Sequence, residues 1–433
     1  MPASIFDSAI YRGLFGDAEV EALFSDSAVV RAMLLVEGAL AEVQGELGLI
    51  PLDSALFITR ASREVQIDPS GFARETAVNG VPVPALVAAF RKAMEAPEHA
   101  QYIHWGATSQ DIMDTGLALR LRRAVAIIDA RLGSLIGRLG ALAADHADLP
   151  MAARTYGQFA TPTSFGALIA SWGRPVLRHR ARIAAADVAV VSLGGAAGTL
   201  SAMEGQGPAV RAGLAARLGL SDPGVSWHTE RDGQGALMDA LVGLLVSLGK
   251  MGEDLILLTQ SGVDEVVLAG AGGSSTMPQK QNPVGPSVLV ALARYSVAVG
   301  GAFQGAGLHR QQRDGAAWFT EWMVLPQIVI AAARALALAE DLARGLRPDA
   351  AAMARNMLSG GGLIAAESYS FALARQMPRP AAQAKVKALC AEVVQSGVPL
   401  ADLMARDFPG LQADLGLGEA PAEARAFADE AHG

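Results

Sequence analysis

Apolar residues recur along this chain at helical spacing. Leu121, Val125, Ile128, Leu132, Leu135, Leu139 and Leu142 follow one another at intervals of 4, 3, 4, 3, 4 and 3. That is an a/d seam held over three heptads, and it predicts one long helix packed nearly parallel to others. A second seam, Leu237, Leu241, Leu244, Leu248, Met251, Leu255 and Leu258, obeys the same rule. Phe165 to Val190 reads as a third helix, with Pro175 as a kink. A fourth begins after Pro283 and Pro286 with Val288, Leu292, Tyr295 and Val299, and a fifth, Phe319 to Leu342, carries Pro326. β-branched alternation at period 2 is scarce, so almost no sheet is predicted in this middle section.

Outside the seams the pattern shortens. Residues 1–108 mix amphipathic pieces such as Val29 to Leu47 with turn-rich ones such as Asn79 to Pro84. After Arg347-Pro348-Asp349, smaller helices are broken by Gly360-Gly361-Gly362 and by Pro378-Arg379-Pro380. The chain is therefore predicted to be all-α, with a mixed helical domain over 1–108, a five-helix bundle over 109–346 and a small helical domain over 347–433.

Composition narrows the function classes. Hydrophobic residues make up 51% of the 433 and charged residues 18%, with a mean hydropathy of +0.30. This suits helices buried on more than one side. The most apolar runs, Ala236 to Leu248 and Val324 to Ala339, are closed or interrupted by Lys250, Glu253, Pro326 and Arg334. Neither supplies the roughly 20 clean apolar residues of a membrane span, so no membrane partner is expected. A net charge of −8 without a basic block argues against nucleic acid. The single cysteine, Cys390, and an N-terminus without a signal-peptide pattern fit a reducing cytoplasm.

Three polar segments border the long helices: His104 to Thr115 (HWGATSQDIMDT), Arg154 to Gly166 (RTYGQFATPTSFG) and Gly272 to Pro283 (GGSSTMPQKQNP). Packing a bundle does not require them. In the third, Gly270, Gly272 and Gly273 let backbone N–H groups converge. Ser274 and Ser275 bring hydroxyls, Lys280 one cation and Asn282 a donor and an acceptor, a set suited to a carboxylate. Read alone, each segment is also compatible with a plain connector or a capped helix. Thr108 or Ser109 can cap a helix, WHTERD can be a capped start with a salt bridge at Arg231 beside His228, and His179, between Arg178 and Arg180, reads as a solvated face. No HxxxH or CxxC pair is present and no metal is expected. No GK[ST] follows the glycines, and no GxGxxG sits between strand and helix, so no nucleotide cofactor is expected either.

Taken together and in order, the segments resemble the fumarase/aspartase superfamily. GSSTMPQKQNP, Gly273 to Pro283, matches its GSSxMPxKxNP signature, after a TSxD segment and an RT-x-x-Q-x-AT-P-T segment; the resemblance spans roughly residues 5 to 400. It implies a three-domain all-α fold, a homotetramer with a central bundle of twenty helices, and active sites shared by three subunits. It implies chemistry at carbon next to a carboxylate, through an aci-carboxylate intermediate, with no cofactor. By motif position, Ser274 falls at the loop serine that acts as base, and Lys280 is the second candidate for proton transfer. Asn282, Thr108, Ser109 and Gln158 fall at substrate-binding positions beside His104, Arg154, Tyr156, His228, Arg231 and Ser275.

One position separates the branches. Lyases of the superfamily that expel an amine or hydroxyl typically carry histidine where this chain has Tyr156, because such leaving groups need a proton. The cycloisomerase branch carries an aromatic residue there. In that branch the bond joins carbon to a carboxylate oxygen, and a group with a pKa of about 4 attacks or leaves unprotonated. A small tricarboxylate substrate, closed into a lactone by its own carboxylate, is the expectation. An adenylosuccinate lyase-type or other lyase activity is the alternative, and a non-catalytic helical scaffold is the alternative of another class. Gln279 and Gln281 depart from the MPHKRNP form of many relatives, which removes a histidine and a cation from the loop.

Overall fold

The computed structural model describes residues 4–269, 272–273, 277 and 280–432. Ser274 and Ser275 lie outside the described residues, as does Gly270. The helices that carry the argument are α1 (Asp26–Glu46), α2 (Val83–Met94), α3 (Ser109–Asp145), α4 (Phe165–Ala185), α5 (Asp232–Leu258), α6 (Val284–Ala306), α7 (Gly315–Gly345) and α8 (Arg379–Ser396). All five long helices expected from the seams are present as α3 to α7. Both seams are buried where they should be: Leu121, Ile128, Leu132, Leu135 and Leu139 on α3, and all seven positions from Leu237 to Leu258 on α5. Each such leucine contributes about 1.5–3 kcal/mol relative to exposure, so the pattern dictates which face turns inward. α4 and α7 run on through Pro175 and Pro326.

The chain forms two compact units, each drawn from three stretches. The first takes Met1–Arg131, His179–Val246 and Leu292–Leu336; the second takes Leu132–Arg178, Ser247–Ala291 and Ala337–Gly433. In the first, α1 lies close against the Leu52–Glu64 helix. A Cβ on Gly38 would come within 2.7 Å of Ser62 Cβ, and Thr59 Oγ1 donates to the Gly38 carbonyl at 3.0 Å. Gly38 is therefore required by close approach, and its neighbour Glu37 is fixed with it. In the second unit, Leu373, Val386, Leu389, Leu400, Leu403 and Met404 build a separate core around α8.

Two expectations need correction, and a third holds: sheet in the middle section is minor. β1 (Pro150–Thr155) and β2 (Gln158–Ser164) form an antiparallel hairpin, Val266–Leu268 pairs with Leu346–Pro348, and Gly272–Gly273 with Gln281–Asn282. The hairpin lacks a β-branched run; its turn and its place in the fold impose it. His179 is buried, 7% exposed, against Gly243, so the flanking arginines did not mark a solvated face. Finally, α6 and α7 are long and apolar enough to cross a bilayer, with mean hydropathies of 1.4 and 1.7 over their most apolar stretches. Of those stretches 44% and 61% are buried inside the chain, which is how bundle helices acquire such composition.

Candidate active site

In the first unit the site grows from the N-terminus of α3. Thr108 precedes the helix, and its N–H donates to Asp111 Oδ2 at 2.9 Å, one half of a capping box. Asp111 does more than cap. Oδ1 accepts the Gly194 N–H at 2.8 Å and His228 Nε2 at 2.8 Å, and Oδ2 accepts the Gly195 N–H at 3.0 Å. Both oxygens are thus engaged as acceptors, so Nε2 carries the His228 proton and the buried Nδ1 has no partner among the described residues. One carboxylate ties three separate segments together. Gly194 must lack a side chain there: a Cβ would sit 2.8 Å from His228 Cε1 and would also meet Ser226 Oγ.

His104 stands beside this hub. Its backbone has φ +66°, a left-handed conformation that costs a non-glycine residue about 1–2 kcal/mol. Its Nδ1 lies 2.7 Å from Oε1 of Glu37, which is 1% exposed on α1. His104, Ser109 and Arg91 line one cavity of about 360 Å³, walled otherwise by Val83, Pro84, Val87, Ala88 and Ile103. Burial works most strongly against the charged imidazole. The charge and hydrogen bond of Glu37, with Asp111 behind, nevertheless raise the His104 pKa above its ordinary value against the opposing Arg91. The His104 imidazole, the Arg91 guanidinium, which also donates to the Ala100 and Ile103 carbonyls at 3.2 Å each, and the Ser109 hydroxyl at the start of a 37-residue helix together suit a carboxylate.

Arg231 takes a different position from the one expected. It is buried, and its guanidinium donates to Asp114 Oδ2 at 2.7 Å, to Glu321 Oε2 at 2.9 Å and to Glu321 Oε1. Trp227 covers it, with the guanidinium carbon 5.1 Å from the ring centroid. It is a structural cation held between two acids. Burial disfavours its charge, but Asp114 and Glu321 outweigh that and keep it ionised. His228, spent on Asp111, is likewise a scaffold residue in the chain as it stands. A salt bridge at Arg231 was the plainer sequence reading and one is observed, though its partners, Asp114 and Glu321, lie on α3 and α7.

The second unit carries its own group. Tyr156 and Gly157, at φ +51° and +73°, form the two-residue turn of the β1–β2 hairpin, both left-handed as a type I′ turn requires. Tyr156 is fully exposed at the tip, and Gln158 is exposed beside it. Arg154 lies over the Phe159 ring, 5.0 Å from its centroid, and grips Glu265 with two hydrogen bonds of 2.8 and 2.9 Å. Glu265, fully buried, also accepts from Asn356 Nδ2 at 2.8 Å. Lys280 is exposed with no side-chain partner among the described residues, and Asn282 is paired through its backbone with Gly272. Glu37, Arg91, Gly194, Gly195 and Glu265 were not singled out by the sequence. Arg91 reads there as an ordinary last-turn helix cation, while the Gly194-Gly195 pair was a signal that could have been used.

Comparison with known proteins places this geometry. A family model described as lyase matches residues 58–299, and the chain belongs to that family, the fumarase/aspartase superfamily. Among its relatives, 3-carboxy-cis,cis-muconate cycloisomerase of Pseudomonas aeruginosa is 38% identical over 393 residues, 89% of this chain and 86% of that protein. The crystal structure of 3-carboxy-cis,cis-muconate lactonizing enzyme from Pseudomonas putida superposes with a TM-score of 0.91 at 32% identity, over 98% of this chain and 99% of that one. Nitrosuccinate lyase of Streptomyces davaonensis is 34% identical over 93% of this chain and 88% of its own.

Proposed function

We propose that this chain catalyses the lactonisation of 3-carboxy-cis,cis-muconate, a trianion of the β-ketoadipate route of protocatechuate degradation. The observation that carries this reading is its similarity, across 89% of its length, to a relative of that name, with Tyr156 at the position where an amine- or hydroxyl-expelling lyase carries histidine. One substrate carboxylate oxygen bonds to the conjugated double bond. The electron pair moves toward the carboxylate at the far end, and the carbon beside that carboxylate takes one proton. His104, Arg91 and Ser109, with Thr108 beside them, hold one carboxylate; Gln158, and Asn282 with Ser275 from its loop, complete the hydrogen bonding from other subunits of the assembly. Arg154, gripped by Glu265, braces the hairpin that carries Tyr156 and Gln158. Ser274 or Lys280 delivers the proton. Ring closure is intramolecular, so holding the chain coiled supplies much of the rate, and no cofactor is required.

The working form in this reading is a cytoplasmic homotetramer whose subunits share each site. Support comes from Tyr156, wholly exposed at its hairpin tip, and from apolar residues left outside on the long helices: Val246 and Leu257 on α5, Val297 on α6 and Met323 on α7. A second reading, carbon–heteroatom lyase action on a related polycarboxylate, is favoured by the nitrosuccinate lyase relative at 34% identity. The test is direct. On mixing purified protein with 3-carboxy-cis,cis-muconate, the ultraviolet absorbance of the conjugated diene falls with turnover. No loss there, with robust turnover of adenylosuccinate or nitrosuccinate instead, transfers the assignment to a lyase.

A further inference from the structure

Glu37 is hard to explain as a stabilising residue. It is 1% exposed, it receives one hydrogen bond, and its Oε2 is buried with no partner among the described residues. A buried acid with a bare oxygen costs free energy, and an apolar residue of similar volume is often neutral or better at such a place. The segment it holds is also strained, with His104 at φ +66°. Two turns further along α1, Gln44 Nε2 donates to the Trp105 carbonyl at 2.7 Å and leaves its own Oε1 without a partner among the described residues. α1 thus grips residues 104 and 105 from two positions, and both grips leave an orphaned oxygen. Strain and unsatisfied polar atoms concentrated on one segment mark a constraint that folding alone does not ask for.

We propose that Glu37 is a positioning residue. It clamps the His104 ring through Nδ1 and holds a positive charge on it, so that Nε2–H is presented to a substrate carboxylate in the cavity shared with Arg91 and Ser109. Glu37 touches neither substrate nor reacting atoms; it acts through His104. The inference rests on reading that cavity as a carboxylate subsite. The charged groups facing His104 are Glu37 from α1, Arg91 from α2 and Asp111 from α3. Asp111 is already divided among His228 and three N–H groups, which leaves Glu37 as the only acid among the described residues bonded to the ring. Without it, burial and Arg91 favour the neutral form, opposed by Asp111 from behind. Nε2 then loses either its charge or, in the other tautomer, its hydrogen.

The test has two readouts on the assembled protein. The first is the titration of the His104 Cε1–H signal by NMR, identified by its loss in His104→Gln. In the unaltered protein its midpoint should lie above that of a free histidine. In Glu37→Gln, which keeps the shape and removes the charge, it should fall. The second is calorimetric binding of propane-1,2,3-tricarboxylate, an unreactive tricarboxylate probe, compared between the two proteins at the same pH. Below both midpoints they should bind alike; between and above them the variant should bind more weakly, by about tenfold for each pH unit by which its midpoint has fallen. An unaltered His104 midpoint at or below the free value overturns the clamp, and that measurement needs no variant to fold. Equal probe affinity across that pH range overturns the subsite. If both readouts hold and 3-carboxymuconate is not turned over, the substrate assignment fails and the clamp stands.

Discussion

Asp111→Asn is the substitution that bears most directly on how the first unit is assembled. Oδ1 accepts from Gly194 N–H and His228 Nε2, and Oδ2 from Thr108 N–H and Gly195 N–H, at 2.8 to 3.0 Å. Asparagine keeps the size and one acceptor. However it is turned, its NH2 faces two donors. Each hydrogen bond to a charged group contributes about 1.5–3 kcal/mol, so losing two amounts to about 3–6 kcal/mol. A typical domain has about 5–15 kcal/mol in total, so the variant should fold barely or only in the cold. The assay is urea unfolding followed by circular dichroism at fixed protein concentration, reading the midpoint, since a chain of 433 residues need not unfold in one step. His228→Gln, which disturbs one of the four bonds, is the internal control and should shift the midpoint less. A shift for Asp111→Asn worth less than about 1 kcal/mol would refute the idea that this carboxylate ties the three segments together.

Other consequences follow from the same contacts. Glu265→Gln breaks the charge match with Arg154 in a buried setting; it should cost about 3–5 kcal/mol in unfolding midpoint and raise KM more than it lowers kcat. Tyr156→Asn places a residue tolerant of left-handed φ in the hairpin turn, and should raise Tm by up to about 1 kcal/mol equivalent while lowering kcat/KM; higher stability with unchanged activity would remove Tyr156 from the site. His104 has a raised folded-state pKa, so its contribution to stability is fully present below the unfolded value and is lost as pH rises through the folded one. Unfolding midpoints measured across neutral pH should therefore decline on the alkaline side in the unaltered protein, and His104→Gln should flatten that decline.

The long helices were legible because a 3.5-residue repeat carries its own geometry. Leu237 to Leu258 could be read as one buried face without any other information, and all seven positions are buried. The β1–β2 hairpin was illegible for the opposite reason: with Pro162 in β2 and Tyr156 at a left-handed turn position, no local preference announces it. At the candidate site, spacing revealed which segments matter but not how charges are spent. Arg154 looked like an open cation and Arg231 like a local salt bridge or a site cation, yet each meets a buried acid 111 or 90 residues away. Glu37 lies 67 residues from His104 on a helix whose pattern speaks only of packing. Pairings at such separations are set by the fold, which is why charge alone in a motif could not settle them.

The central claim is that this site adds a carboxylate oxygen to a double bond and puts a proton on the carbon next to a carboxyl group. Incubation of the protein with 3-carboxy-cis,cis-muconate in D2O, followed by NMR of the products, tests it most directly. The expected result is a lactone carrying a single deuterium at the carbon beside the carboxylate. Recovery of unchanged, unlabelled substrate from protein shown to be folded would contradict it.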